Sequence, residues 1–131
     1  MAEQHSVLPG IAFSRKRASV LIHLSTIRAL GYPRYVRILC NEKRKRLAVQ
    51  VCAEKESGAI RVAKGRVKEQ PLLLSSLIVQ GRIWNLCGWD TNKNYLVYGI
   101  FRSQQELVEF NLLNAEAITD DMFIDPEFQA K

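Results

Sequence analysis

Strict alternation of apolar and polar residues marks four stretches of the chain as half-buried strands. They are residues 35–40, 47–52, 94–101 and 106–112. A polar turn that contains the four consecutive basic residues Lys43, Arg44, Lys45 and Arg46 separates the first two stretches. Residues 102–105 form a similar polar turn between the other two. The pattern therefore predicts two hairpins, the first with a strongly basic tip.

Two helices are predicted from apolar spacing and from glycine positions. The longer covers residues 73–87, where apolar residues recur at steps of three and four and Gly88 follows. The shorter begins at Ser25 or Thr26, either of which would cap it, and ends at Gly31. Both glycines would adopt the left-handed conformation that commonly follows a helix.

Each predicted helix stands between a short strand and a hairpin. The short strands are residues 18–23 and 59–63, so the order strand, helix, hairpin occurs within residues 18–56 and again within residues 59–118. The predicted fold class is α+β, built from two strand-helix-hairpin (β-α-β-β) units. Two interpretations stay open here: an internal duplication, or a single α+β domain whose two hairpins are unrelated.

Both ends of the sequence lack hydrophobic periodicity. Residues 1–17 contain Pro9, Gly10 and a basic triplet, and we expect them to form a flexible basic arm. Residues 119–131 carry four acidic side chains together with Pro126, and we expect them to form a disordered acidic tail.

The composition is that of a globular protein. Hydrophobic residues make up 47% of the chain and charged residues 24%, which argues against a fibrous or wholly disordered protein. The first ten residues lack the basic start and apolar segment of a signal peptide, and no apolar run approaches the length of a membrane span. We therefore expect a cytoplasmic protein that does not enter a membrane.

The sequence carries no motif for catalysis, for a metal or for a cofactor. Cys40, Cys52 and Cys87 are widely spaced and form no C-x-x-C pair, so we expect reduced thiols and no disulfide. His5 and His23 have no nucleophile at a catalytic spacing. We expect a protein that is not an enzyme and that binds no metal or cofactor.

The net charge of +6 is unevenly distributed. Residues 1–70 contain 15 Lys/Arg and 5 Asp/Glu, a balance of +10, whereas residues 71–131 contain 4 and 8, a balance of −4. Basic residues of the arm, the short helix and the first hairpin are expected to share one face and to contact nucleic-acid phosphates. These candidates are Arg15, Lys16, Arg17, Arg28, Arg34, Arg37, Lys43, Arg44, Lys45 and Arg46. The alternative interpretation is a solvated hairpin tip next to a disordered arm.

The two tryptophans lie close together near the end of the longer predicted helix. Trp84 falls on its apolar stripe, which indicates a core position. Trp89 follows Gly88, and it either covers the turn after the helix or forms a hot spot for a protein partner.

A helix end of the form Arg-x-Leu-Gly stands between the first predicted strand and the first hairpin. The motif spans residues 28–31, and the match described next centres on Ile27, Arg28, Leu30 and Gly31. With this spacing, residues 20–52 resemble the AbrB/SpoVT/MazE swapped-hairpin module. In that family two copies intertwine, and MraZ-type members build the unit from a tandem repeat. The resemblance therefore implies a DNA-binding, regulator-like protein with a pseudo-twofold swapped-hairpin barrel, formed by a homodimer or by two units in one chain.

The chain is also similar to uncharacterised small proteins of Firmicutes mobile elements, a likeness that implies no activity. Two hypotheses follow for the function. In the first, the protein is a small DNA-binding regulator that contacts the phosphate backbone through its basic N-terminal half. In the alternative, it is a non-enzymatic accessory factor of a mobile element that binds a protein partner through its second half and Trp89.

Overall fold

Antiparallel strands form one curled sheet, an open half-barrel, in the computed structural model, which describes residues 8–62, 70–75 and 77–125. Within these residues the strands are β1 Gly10–Ser14, β2 Ser19–Ile22, β3 Tyr35–Asn41, β4 Arg46–Val51, β5 Ile60–Arg61, β6 Leu72–Ser75, β7 Asn94–Arg102, β8 Leu107–Asn111 and β9 Glu116–Ile118. The helices are α1 Leu24–Ala29 and α2 Leu77–Cys87, and two 3-10 turns cover Leu112–Asn114 and Asp121–Phe123. The fold is thus mostly antiparallel sheet with few helices.

The strands follow the order β5-β3-β4-β8-β7-β1-β2-β6 across the sheet, and β9 pairs with β7. β7 is the longest strand and joins two parts of the sheet. Its first half pairs with β1 and β9, and its second half, from Gly99 onward, pairs with β8. A Cβ atom at Gly99 would lie 2.6 Å from Cγ1 of Val108. Glycine at this position therefore allows β8 to approach β7 closely.

The main core lies on the sheet face that the two helices cover, which we call the inner face. Alternate residues of seven strands point into this core, as expected for a sheet with one buried face. They are Ile11, Phe13, Val20, Ile22, Val36, Leu47, Val49, Leu72, Val97, Val108 and Phe110. The helices add Leu24, Ile27, Ile83 and Trp84.

A second, smaller apolar cluster covers the opposite side of β1, β2 and β7. It consists of Ala12, Leu21, Leu96, Ile118 and Phe123. Residues 119–125, which we call the strap, therefore pack against the sheet, although the sequence analysis assigned them to a disordered tail. Phe123 is only 4% exposed and Asp125 only 2%. The rest of the predicted tail, residues 126–131, lies outside the described residues.

β1 replaces part of the flexible arm expected from the sequence. All five residues of Gly10–Ser14 are buried, and the strand pairs with β2 on one side and with β7 on the other. A strand buried on both faces shows no apolar-polar alternation, so the pattern that predicts β3, β4, β7 and β8 is absent here. Residues 1–7 of the expected arm lie outside the described residues.

The helices differ from prediction at their starts and agree at their ends. α2 begins at Leu77, because residues 72–75 pair with β2 as strand β6. α1 begins at Leu24, so the predicted caps Ser25 and Thr26 lie inside its first turn. Thr26 Oγ1 instead donates to the carbonyl oxygen of Gly10 at 2.7 Å.

Both helices end at a left-handed glycine, as the sequence predicted. Gly31 has φ of +79° and Gly88 has φ of +63°. The residue after each glycine donates its N–H to a carbonyl five residues earlier, at 3.0 Å after α1 and 3.2 Å after α2. These bonds satisfy carbonyl groups that the helix end would otherwise leave without partners.

The two predicted hairpins are confirmed. β3 pairs with β4 from Val36 opposite Val51 to Asn41 opposite Arg46. β7 pairs with β8 around the turn after Arg102. The strand expected at residues 59–63 is present as the short strand β5, Ile60–Arg61, and residue 63 lies outside the described residues.

Candidate nucleic-acid interface

The tip of the β3–β4 hairpin is a tight turn whose central residues are basic. The N–H of Lys45 donates to the carbonyl of Glu42 at 3.2 Å, and the N–H of Arg44 donates to Asn41 Oδ1 at 3.1 Å. Lys45 takes the left-handed conformation, with φ of +55°. Lys43 and Arg44 occupy the two central positions and are exposed to solvent. The local hydrogen bonds therefore hold the backbone of the tip while leaving these two cations accessible.

The β1–β2 turn repeats this geometry. The N–H of Ala18 donates to the carbonyl of Arg15 at 3.0 Å, and the N–H of Arg17 donates to Ser14 Oγ at 3.2 Å. Ala18, like Lys45, is left-handed, with φ of +50°. Lys16 and Arg17 thus take the central positions that Lys43 and Arg44 take in the other turn. Two hairpin tips present a Lys-Arg pair in the same backbone setting.

Strand direction decides which basic residues share a rim of the half-barrel. β1 and β3 both run opposite to β7, so the turns that follow them open at the rim where β7 begins. We call this the basic rim. It carries Arg15, Lys16, Arg17, Lys43, Arg44, Lys45 and Arg46.

The other three candidates lie elsewhere. Arg28 is in α1, which follows β2, and Arg34 precedes β3, so both belong to the rim opposite the basic one. At about 3.3 Å per residue, the length of β3 separates Arg34 from the tetrabasic tip by about 20 Å. Arg37 lies midway along β3, on the sheet face opposite the core, which we call the outer face. The structure therefore brings seven of the ten candidates to one rim and leaves three away from it.

Several of the candidates contact acidic or aromatic side chains. Arg37 lies 3.0 Å from Glu56, Arg46 lies 2.9 Å from Glu109 and Lys16 lies 4.0 Å from Asp120. The guanidinium of Arg17 lies 5.1 Å from the ring centroid of Phe123. The charges of these residues are partly balanced within the protein. Carboxylate neighbours reduce the electrostatic attraction that each would exert on a phosphate.

The remaining candidates other than Arg28 have no acidic partner at ion-pair distance in the described structure. Across residues 8–62, 70–75 and 77–125, no carboxylate lies within ion-pair distance of Arg15, Arg34, Lys43, Arg44 or Lys45. Four of these five residues are on the basic rim. Among the sequence-predicted candidates, the unbalanced positive charge in the described structure therefore lies mainly at the tetrabasic tip, which carries three of these five residues.

Glu109 organises the outer face beside the tetrabasic tip. It accepts hydrogen bonds from Arg46 Nη1 at 2.9 Å and from Arg102 Nε at 3.2 Å. The hydrogen bond from Arg46, helped by the one from Arg102, holds the pKa of this carboxyl below its usual value despite partial burial. A groove of about 360 Å³ runs over this region, lined in part by Arg44, Arg46 and Arg102.

Arg102 was not among the sequence-predicted site residues. It stands at the start of the predicted turn 102–105, where an isolated basic residue gives no pattern. Its link to Arg46 runs through Glu109, which pairs with Ala48 of β4 on one side and with Ile100 of β7 on the other. Only the strand order places β4 and β7 on either side of β8, so the sequence alone did not join these two arginines.

Trp89 is half-buried in an aromatic cluster. Its ring stacks on that of Tyr95, with centroids 4.4 Å apart, and meets the ring of Trp84 edge-on at 5.0 Å. Phe13 of β1 lies 5.4 Å away, and Trp84 Nε1 donates to the carbonyl of Asp90 at 3.1 Å. The cluster packs α2 and the following loop against β1 and β7. Binding of a protein partner at Trp89 stays a prediction.

Three further features of the described residues bear on other kinds of site. Burial raises the pKa of the thiols of Cys40, Cys52 and Cys87, so these groups are protonated near neutral pH. In the described part of the chain, no three His, Cys, Asp or Glu side chains cluster in a way that suits a metal ion. Nor do the described helices include one of the length and apolar character needed to cross a membrane.

Comparisons of the chain with protein-family models, with curated proteins and with solved structures give no match.

Proposed function

We propose that the protein is a small, regulator-like DNA-binding protein that contacts the phosphate backbone with its basic rim. The observation that carries the proposal is the exposure of Lys43 and Arg44 at the centre of a tight turn, with no carboxylate at ion-pair distance in the described structure. Lys and Arg side chains that neutralise phosphates release condensed counterions, which favours binding to duplex DNA. Backbone contacts of this kind position a protein without selecting a base sequence.

The separation of the two basic tips supports an extended polyanion as the target. The centres of the two turns lie four strand spacings apart in the sheet order, which corresponds to about 19 Å along the sheet. Duplex DNA carries one negative charge per about 1.7 Å of helix axis. The two Lys-Arg pairs can therefore contact different phosphates of one duplex. This arrangement leaves Arg28 and Arg34 outside the proposed contact.

We also infer that the chain contains two β-α-β-β units, as the swapped-hairpin resemblance implies. The strand order supports this inference. β1 lies beside β7 as β5 lies beside β3, and the hairpins β3–β4 and β7–β8 meet at the centre through the β4–β8 pair. With β1 (Gly10–Ser14) in place of the predicted strand 18–23 as the first strand of the first unit, exchanging the two units leaves the order of these six strands unchanged. A cytoplasmic location belongs to the same proposal.

A salt titration of DNA binding tests the function. Binding of the full chain to a mixed-sequence duplex would be followed by fluorescence anisotropy at several salt concentrations. Each phosphate contact contributes about 0.9 to the slope of log affinity against log salt, so replacing Lys43 and Arg44 by glutamine should reduce that slope by about two. The matched control is Lys55→Gln, which removes an exposed lysine from the loop between β4 and β5.

The titration also separates this proposal from its alternative. A similar loss of affinity on all duplex sequences supports backbone contact by the basic rim. An equal effect of Lys55→Gln would contradict the assignment to the tips. If the wild-type chain does not bind DNA even at low salt, the proposal fails, and the protein-partner hypothesis centred on Trp89 becomes the better one.

A further inference from the structure

A polar cavity of about 470 Å³ lies on the basic rim, between three segments that are distant in sequence. The β1–β2 turn contributes Arg15 and Lys16, the loop between α2 and β7 contributes Lys93 and Asn94, and the strap contributes Asp120. Its volume falls within the range of about 300–1,000 Å³ that is usual for small-ligand sites. The sequence does not point to this site, because Lys93 lies in the half of the chain that is acidic overall.

The charged groups of this cavity favour an anion. Three cationic side chains face one carboxylate, so the cavity carries an excess of positive charge. Among the described residues that line it, Asp120 is the only acid. Within the described structure, neither Arg15 nor Lys93 has a carboxylate at ion-pair distance. Two cations are therefore available to an incoming anion.

The carboxylate of Asp120 is held in place by two groups of the cavity. Its Oδ1 accepts a hydrogen bond from Asn94 Nδ2 at 2.8 Å, and its Oδ2 lies 4.0 Å from Lys16 Nζ. Asn94 is only 5% exposed, and its backbone belongs to the first rung between β7 and β9. The side-chain amide of Asn94 is thus fixed. Lys16 lies at the longest distance from Asp120 that still counts as an ion pair. The carboxylate of Asp120 therefore already occupies one anion position in the cavity.

The loop that carries Lys93 is closed by its own hydrogen bonds. The N–H of Asn92 donates to Asp90 Oδ1 at 2.8 Å, and the N–H of Lys93 donates to the carbonyl of Asp90 at 3.2 Å. The N–H of Asp90 in turn donates to the hydroxyl of Tyr95 at 2.9 Å. Lys93 therefore extends from an ordered turn, which lowers the entropy cost of binding an anion.

We propose that this cavity binds a phosphate group through Arg15, Lys16 and Lys93, and that the carboxylate of Asp120 competes with the phosphate for them. The phosphate belongs to the backbone of a nucleic acid, because Lys16 is also a central residue of one of the two basic tips. In this respect the inference rests on the proposed function. Free inorganic phosphate is the other source of the same chemistry, and the experiment distinguishes the two.

The first arm of the test uses inorganic phosphate. Amide shifts of the 15N-labelled full chain would be recorded during a phosphate titration, for the wild type and for Lys93→Gln, Asp120→Asn and the control Lys55→Gln. Saturable shifts are expected at residues 91–94 and 15–17. An exposed charge pair changes a binding affinity by a factor of about two to five. Lys93→Gln should therefore lower the affinity for phosphate by about that factor, and Asp120→Asn should raise it by a similar factor. Lys55→Gln should leave it unchanged.

The second arm repeats the comparison with a short duplex at low salt. Weaker DNA binding by Lys93→Gln and tighter binding by Asp120→Asn support the inference. Shifts confined to other residues, or equal effects of Lys93→Gln and Lys55→Gln in both arms, overturn it. If only the Lys43 and Arg44 variants weaken DNA binding, the inference fails while the proposed function stands. If phosphate binds in this cavity but DNA does not bind the chain, the proposed function fails, and the cavity is a site for a small phosphate.

Discussion

The backbone N–H of Leu24 donates a hydrogen bond to Oδ2 of Asp125 at 2.6 Å, across 101 positions of the chain. Leu24 is the first residue of α1, so the strap supplies the acceptor that usually comes from a capping residue next to the helix. Phe123, two residues earlier, covers the small apolar cluster behind β1 and β2. The strap is therefore part of the folded structure.

Removing this carboxylate should destabilise the protein. Asp125→Ala leaves a buried N–H of α1 without its acceptor, and we expect the free energy of unfolding at pH 7 to fall by about 1.5–3 kcal/mol. Asp125→Asn keeps an acceptor oxygen in the same place and should cost less. Urea denaturation of the three proteins measures the difference. A stability of Asp125→Ala equal to that of the wild type would show that the contact contributes nothing.

Two glycines should respond in opposite directions to replacement by alanine. At Gly99 the added Cβ would lie 2.6 Å from Val108 Cγ1 and 2.7 Å from Phe110 Cε1, and relieving this overlap should cost about 1–3 kcal/mol. Gly81 lies within α2, where an added Cβ meets no atom within 4 Å. Gly81→Ala should therefore stabilise the protein by about 0.5–1 kcal/mol through better helix propensity. Thermal unfolding of both variants checks the two signs together.

Glu109 should make stability depend on pH. The hydrogen bonds from Arg46 and Arg102 lower the pKa of this carboxyl in the folded protein, so its contribution is present above the pKa of the unfolded chain and is lost as the pH falls. The stability difference between wild type and Glu109→Gln should therefore be largest near pH 7 and should shrink between about pH 5 and about pH 3. Urea denaturation across this range measures the difference.

The control for this prediction is Glu116→Gln. Glu116 is an exposed residue of β9 and forms no ion pair with any residue in the described ranges. Its replacement should leave the pH dependence of stability close to that of the wild type. If the difference in the free energy of unfolding between wild type and Glu109→Gln does not change with pH, the role assigned to Arg46 and Arg102 is contradicted.

The third hairpin turn offers a test of backbone strain. Glu106 has φ of +53°, and its N–H donates to the carbonyl of Ser103 at 3.2 Å, as in the two basic turns. The left-handed conformation is unfavourable for a residue with a side chain, so Glu106→Gly should raise stability by up to about 1 kcal/mol. At Gly58, with φ of +81°, the reverse change to alanine should lower it by about 1 kcal/mol. Chemical denaturation that gives the same sign for both variants would contradict this interpretation.

The features that the sequence predicted correctly are those that depend on neighbouring residues. Alternation located the hairpins β3–β4 and β7–β8, and glycine positions located both helix ends. The strand β1 was missed because burial of both faces removes alternation. Residues 73–75 of strand β6 are predicted as helix because Leu73 and Leu74 continue the apolar spacing of α2.

The candidate site was less predictable because it depends on strand order. The exposed cations of the tetrabasic turn follow directly from the sequence. Their association with the β1–β2 turn arises only because both turns open at the rim where β7 begins. Asp120 and Lys93 reach the same rim from the strap and from the loop after α2. Pairings over such distances leave no periodic signal in one sequence.

The central position of β1 has a consequence for how the chain acquires its structure. Gly10 pairs with Tyr98, 88 positions further on, so one edge of β1 has no neighbour until β7 has been synthesised. Folding that depends on pairings of such long range is slow, because the chain must close a large loop before the contacts can form. A nascent chain that ends before β7 would expose the backbone of β1 to pairing with other chains, which makes this stage of synthesis the one most open to aggregation.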